Sequence, residues 1–172
     1  MRKIILLGYM GCGKSTIAKM LSEKIEIPYL DLDNRIEGNA NTTITNLFKE
    51  KGEIYFRKLE HKTFIDLMQN PETFILSLGG GTPCYANNHE LLKGENTVSL
   101  YLNASVDTLY NRLISEKENR PLVADKTDYE LKEFIAKQLF ERSFYYHQAD
   151  YKVNVDGKSA KDIVLEIEKI LA

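Results

Sequence analysis

Apolar residues along this chain follow two rhythms. Short apolar-rich runs at Lys3–Leu7, Pro28–Leu30, Phe74–Ser77, Val98–Leu102 and Tyr151–Val155 read as strands of a covered sheet. Between them, apolar positions recur every three or four residues. That spacing predicts helices over Lys14–Lys24, Ile54–Met68, Val106–Ser115, Tyr129–Gln148 and Ala160–Leu171. Ile17, Ala18, Leu21 and Ile25 share one side of the first helix, and Ser159 with Asp162 has the spacing of a capping pair before the last. Strands alternating with helices, joined by right-handed crossovers, imply an α/β fold: a parallel five-stranded sheet with helices on both faces. No repeat or linker interrupts the pattern, so one domain over residues 1–172 is expected.

Composition acts by exclusion. A net charge of −2 supplies no basic field for nucleic acid, and no apolar stretch approaches the roughly 20 residues that span a bilayer. Met1-Arg2-Lys3 followed by an apolar run suggests the start of a secretory signal, but that run ends at Gly8 in a glycine-rich loop. The expectation is a cytoplasmic protein with neither nucleic-acid nor membrane partners. Cys12 and Cys84 lack the spacing of a metal pair, and a reducing compartment disfavours a disulfide; Cys12, inside the loop, is a candidate for thiol reagents.

The loop carries the first chemistry. Gly8-Tyr9-Met10-Gly11-Cys12-Gly13-Lys14-Ser15-Thr16 spells G-x-x-x-x-G-K-S between a strand and a helix. Glycines at its ends let successive N–H groups curl around phosphate oxygens. The helix starting near Lys14 adds unpaired N–H groups and the positive end of its dipole. Lys14 can reach the β- and γ-phosphates of a nucleoside triphosphate, and Ser15 can offer its hydroxyl to Mg²⁺.

Ligands on open parallel sheets bind beyond the carboxyl ends of the strands, so the residues after each strand matter most. Asp31 and Asp33 follow the second strand. On a regular strand both would point to one face, able to hold a hydrated Mg²⁺ and to accept a hydrogen bond from a hydroxyl awaiting phosphorylation. The alternative is a solvated turn in which one acid caps a helix. The third strand ends in Ser77 rather than an acid, which leaves Asp31 to supply that charge. Gly79-Gly80-Gly81 follows it, either for close backbone approach to a ligand or as a plain turn.

Other residues stay open on spacing alone. Arg57 and Glu60 are three apart on a helix, which reads as a solvated ion pair. Arg142 lies among Phe140, Phe144, Tyr145 and Tyr146, which look like core. Residues 115–128 are charged and aperiodic, reading as a mobile segment that contains Arg120-Pro121. Asp125-Lys126-Thr127-Asp128 superficially matches a guanine-reading N-K-x-D, but without its Asn, a preceding strand or a D-x-x-G.

Taken together, the loop, Asp31-Leu32-Asp33, Gly52-Glu53-Ile54-Tyr55-Phe56-Arg57-Lys58-Leu59-Glu60, Leu78-Gly79-Gly80-Gly81, Asn119-Arg120-Pro121-Leu122 and Arg142 with the following Tyr145 or Tyr146 and Ala149-Asp150 resemble the shikimate kinase family, in its order and over most of the chain. Another small-molecule kinase, for gluconate or a nucleoside monophosphate, would share the loop but lack the triple glycine and the G-E-x-x-F-R-x-x-E helix. The resemblance implies a P-loop fold of nucleoside-monophosphate-kinase type and transfer of the ATP γ-phosphoryl group to the 3-hydroxyl of shikimate, with one Mg²⁺, by a monomer in aromatic amino acid biosynthesis. It implies a substrate-binding helical region at about 33–61 and a lid at about 115–128. It assigns Lys14, Asp33 and Arg120 to catalysis; Gly11, Cys12, Gly13, Lys14, Ser15, Thr16, Arg112 and Arg120 to ATP; Asp33, Arg57, Gly79, Gly80, Gly81 and Arg142 to shikimate. Ser15, and Asp31 through water, would hold the metal. Phe48, Phe56 and Glu60 would shape the shikimate pocket. Cys12, and Thr82-Pro83-Cys84-Tyr85 after the glycines, depart from the usual pattern.

Overall fold

Ile4, Ile5, Leu6 and Leu7 are all but inaccessible to solvent, as an unbroken apolar run must be when helices cover both faces of its sheet. This strand, β1 (Lys3–Leu7), is the centre of a five-stranded sheet in the computed structural model, which describes residues 2–116 and 125–172. Arg120 and most of the segment expected to be mobile lie outside the described residues. The remaining elements follow as α1 (Lys14–Ile25), β2 (Tyr29–Asp31), α2 (Leu32–Ala40), α3 (Ile44–Gln69), β3 (Phe74–Ser77), β4 (Thr97–Asn103), α4 (Val106–Ser115), α5 (Asp128–Tyr146), β5 (Tyr151–Asn154) and α6 (Ala160–Leu171).

All strands are parallel, in the order β2-β3-β1-β4-β5. Leu6 stands level with Ser77 of β3 on one side and Leu100 of β4 on the other. The chain leaves β1 toward β2, yet leaves β3 toward β4 beyond β1. The two connections diverge, and this divergence opens a crevice at the carboxyl ends of β1 and β3. Helix α1 packs against α6, and α4 against α5.

Two differences from the sequence expectation have local causes. Helix α2 is held by two buried apolar residues, Leu32 and Ile36, and by the Asp31 carboxylate, which accepts from the Asn34 amide at 3.2 Å. So short a stripe, among Asn and Gly residues, is a weak periodic signal. Helix α3 starts at Ile44, capped by Thr43, ten residues before the periodic segment, and kinks at Gly52 (φ 82°, ψ 171°), a backbone conformation that glycine takes without steric cost. Helices α4 and α6 match the predicted bounds, and Ser159 and Asp162 cap α6 reciprocally. Thr127 caps α5 in the same manner with Glu130, so Asp125–Asp128 leads into a helix rather than forming a guanine-reading loop after a strand. No helix among the described residues is long and apolar enough to cross a membrane.

Candidate active site

The loop after β1 is wound by its glycines. Gly8 (φ 144°) and Gly13 (φ 100°) occupy the left-handed half of backbone space, and a Cβ on Gly8 would stand 2.7 Å from the Leu102 carbonyl oxygen. Helices α2 to α6 each begin under a side-chain cap; among the described residues, α1 is the α-helix that begins with none and with no acid in its first turn. Its first N–H groups and its dipole are left to an anion. The Lys14 ammonium donates to the carbonyls of Gly8 (2.8 Å) and Tyr9 (3.0 Å), which keeps it over the same loop. Cys12 is fully buried, with Sγ 3.8 Å from Lys14 Nζ, so burial shields it from the thiol reagents that its loop position suggested.

A cavity of about 460 Å³ opens here, lined by residues 10–17, Asp31, Asp33, Gly79, Gly80, Arg112 and Lys158 among others. Arg112 donates through Nη1 to the Gly11 carbonyl at 3.1 Å, which ties its guanidinium to the edge of the loop. Across the cavity, Asp31 does two jobs. Oδ1 caps α2, while Oδ2 accepts from Tyr29 Oη at 3.1 Å and Ser15 Oγ at 3.4 Å. Adjacent hydroxyl and carboxylate oxygens are the donor type that Mg²⁺ takes with its waters.

Asp33 reaches the cavity differently from the expectation. It is not two residues along a strand from Asp31 but in the first turn of α2, because Asp31 ends β2 and caps the helix. Burial pushes its carboxyl up to about 6, Asp31 and Glu60 push the same way, and Lys14 opposes them.

The triple glycine is required by space. None of Gly79, Gly80 and Gly81 adopts a left-handed φ. Instead a Cβ on Gly79 would stand 3.1 Å from Asp33 Oδ1, one on Gly80 3.3 Å from Arg142 Nη1, and one on Gly81 2.9 Å from Arg57 Nη2. An acid from α2 and arginines from α3 and α5 converge on one turn. Arg57 donates to Glu60 Oε2 at 2.9 Å, and Glu60, only 1% exposed, also accepts from Thr82 Oγ1 at 2.7 Å. The Arg57–Glu60 pair is therefore half-buried, with the acid fully covered, rather than solvated as its spacing suggests; spacing carries no information on what covers a helix face. Phe48 and Phe56 stack beside it with centroids 4.7 Å apart.

Arg142 lies over the Tyr9 ring, 5.4 Å from its centroid, and hydrogen-bonds Tyr146, whose hydroxyl donates to the Gly80 carbonyl at 2.6 Å. On sequence grounds Thr82 has no part in the site, and Tyr146 is named only as one of two tyrosines that follow Arg142 in the family's motif. Tyr146 lies one helical turn after Arg142, a spacing that could have found it.

A family model described as shikimate kinase matches residues 10–172. The chain belongs to the shikimate kinase family. The shikimate kinase of Flavobacterium johnsoniae is 59% identical over 172 residues, with both chains fully covered. The crystal structure of shikimate kinase from Bacteroides thetaiotaomicron is similar with a TM-score of 0.90 at 34% identity, covering 99% of this chain and 98% of that one. Shikimate kinase from Acinetobacter baumannii in complex with shikimate is similar with a TM-score of 0.87 at 29% identity, covering 99% and 93%. The shikimate kinase likeness drawn from motifs thus extends along the whole chain and to its fold.

Proposed function

We propose that this protein transfers the γ-phosphoryl group of ATP to the 3-hydroxyl of shikimate, giving shikimate 3-phosphate and ADP. The observation that carries this reading is the convergence of Asp33, Arg57 and Arg142 on the Gly79–Gly81 turn, at the rim of a cavity floored by an uncapped helix. The turn of N–H groups and Lys14 take the phosphates, and Arg112 stays at the edge of the loop for the base. Arg57 and Arg142 pair with the acceptor's carboxylate, for which planar guanidinium donors are suited. Asp33 accepts a hydrogen bond from the acceptor hydroxyl and takes its proton as the oxygen bonds to phosphorus and the bond to the ADP oxygen breaks. Mg²⁺, held by Ser15 and through water by Asp31, would offset charge on the phosphates. The resemblance alone assigns Arg120 to the transferring phosphate, residues 33–61 to the acceptor, 115–128 to the lid, and the whole to a cytoplasmic monomer.

ADP release coupled to added shikimate tests the reaction. Shikimate-dependent turnover with MgATP is expected, with none on gluconate or a nucleoside monophosphate; folded protein that ignores shikimate would refute the assignment. Gly81→Ala tests the geometry. Its methyl would meet Arg57 Nη2 at 2.9 Å and Nη1 at 3.0 Å, and the guanidinium, at the end of a flexible chain, would move. The KM for shikimate should rise about tenfold, with that for ATP unchanged. Equal values for mutant and parent would count against Arg57 as a carboxylate partner.

A further inference from the structure

Arg57 is held more completely than a salt bridge to Glu60 requires. The Tyr85 ring centroid lies 4.0 Å from its Cζ, the contact distance of a stacked guanidinium. The Tyr85 hydroxyl donates to Glu53 Oε1 at 3.2 Å, and the same oxygen takes Arg57 Nε at 3.5 Å. One face of the guanidinium is thus covered by an aromatic ring, its Nε edge is turned to Glu53, and one Nη1 proton goes to Glu60. The Nη edge beside Gly81 retains further protons.

The backbone after Tyr85 takes an unusual path. Ala86 (φ 49°) and Asn87 (φ 57°) are consecutive non-glycine residues in the left-handed region, a conformation that persists where surrounding contacts enforce it. Asn88, fully buried, supplies such contacts: its amide N–H donates to the Tyr85 carbonyl at 2.9 Å, and its side chain donates to the Thr82 carbonyl at 2.9 Å. The turn therefore fixes the Tyr85 backbone next to the glycines while 38% of the residue stays exposed. Nothing in core packing requires a tyrosine there.

We propose that Tyr85 is a positioning residue for carboxylate recognition: its ring fixes the plane of the Arg57 guanidinium, and its hydroxyl, through Glu53, fixes the Nε edge. A guanidinium held in this way presents a prearranged pair of donors, so a planar carboxylate binds without first ordering the side chain. The proposal rests on the function proposed above only for the identity of that carboxylate.

The test uses the full chain as Tyr85→Ala and Tyr85→Phe. The Arg57 Nε–H NMR signal reports the clamp without any substrate; its exchange with water should be about tenfold faster in Tyr85→Ala than in the parent, and intermediate in Tyr85→Phe, which retains the ring but loses the hydroxyl's bond to Glu53. In turnover, Tyr85→Ala should raise the KM for shikimate about tenfold, with the KM for ATP and kcat within about twofold. Unchanged Arg57 exchange in Tyr85→Ala would overturn the proposal, as would equal rises in both KM values. If the parent fails to phosphorylate shikimate, the function proposed above falls, and the exchange measurement alone decides the role of Tyr85.

Discussion

Asp33→Asn is expected to lower kcat by about 10²- to 10⁴-fold, the usual range for loss of a positioned proton acceptor, while making the fold more stable. Both effects have one source. The carboxyl stands at about 6 in the folded protein against 3.8 as its ordinary value, because it is buried beside Asp31 and Glu60. Between about pH 4 and pH 6 the folded state keeps a proton that the unfolded chain has released. Stability therefore falls as pH rises through that window and levels off above it. Two pH units correspond to roughly 3 kcal/mol, and partial solvent access reduces this to about 1–2 kcal/mol at neutral pH. Asn carries no charge to desolvate, so its melting temperature at pH 7.5 should exceed that of the parent, with the difference gone near pH 4. Activity runs the opposite way. The ionised acid accepts the proton, so kcat/KM should climb with pH through about 6, and this limb should be missing from the residual activity of the Asn variant. A parent profile flat between pH 5 and 7, or a variant with full turnover, would remove Asp33 from the chemistry.

Lys14→Met should cost about 10²- to 10³-fold in kcat, the magnitude seen when one preorganised charge donor is withdrawn from a developing anion. Methionine keeps the unbranched length, so the loss is of charge and of the hydrogen bonds to Gly8 and Tyr9 rather than of bulk. A second effect distinguishes it from general damage. Lys14 holds the Asp33 carboxyl down, so its removal should move the acidic limb of the remaining activity to higher pH. Measuring the pH profile of the variant checks this; turnover like that of the parent would show that Lys14 does not serve the phosphates.

Much of this arrangement is legible in the sequence because the signals are local. The phosphate loop is a contiguous motif, β1 and β3 are continuous apolar runs, and α6 declares its start through Ser159 and Asp162. Helix α2 is not legible, since it rests on Leu32, Ile36 and a cap rather than on a stripe. Glu60 illustrates a different limit. Nothing within its helix says that Thr82, 22 residues on, covers it. The triple glycine marks a crowded place, as its composition suggests, but what crowds it is the protein's own side chains. Asp33, Arg57 and Arg142 meet there only through the sheet order, and family likeness, not periodicity, links them beforehand.

The position of β1 in the sheet also governs how the molecule is made. It is the first of the five strands to leave the ribosome, yet its two neighbours are Phe74–Ser77 and Thr97–Asn103. For most of synthesis Ile4–Leu7 is an apolar strand with at least one open edge, the kind of segment that pairs with other chains. A fragment ending before Thr97 would keep that edge permanently, whereas one running past Asn103 could close it. The strand that leads into the phosphate loop is therefore the first part of the sheet to be synthesised, yet it cannot be flanked on both edges until Thr97–Asn103 has followed it.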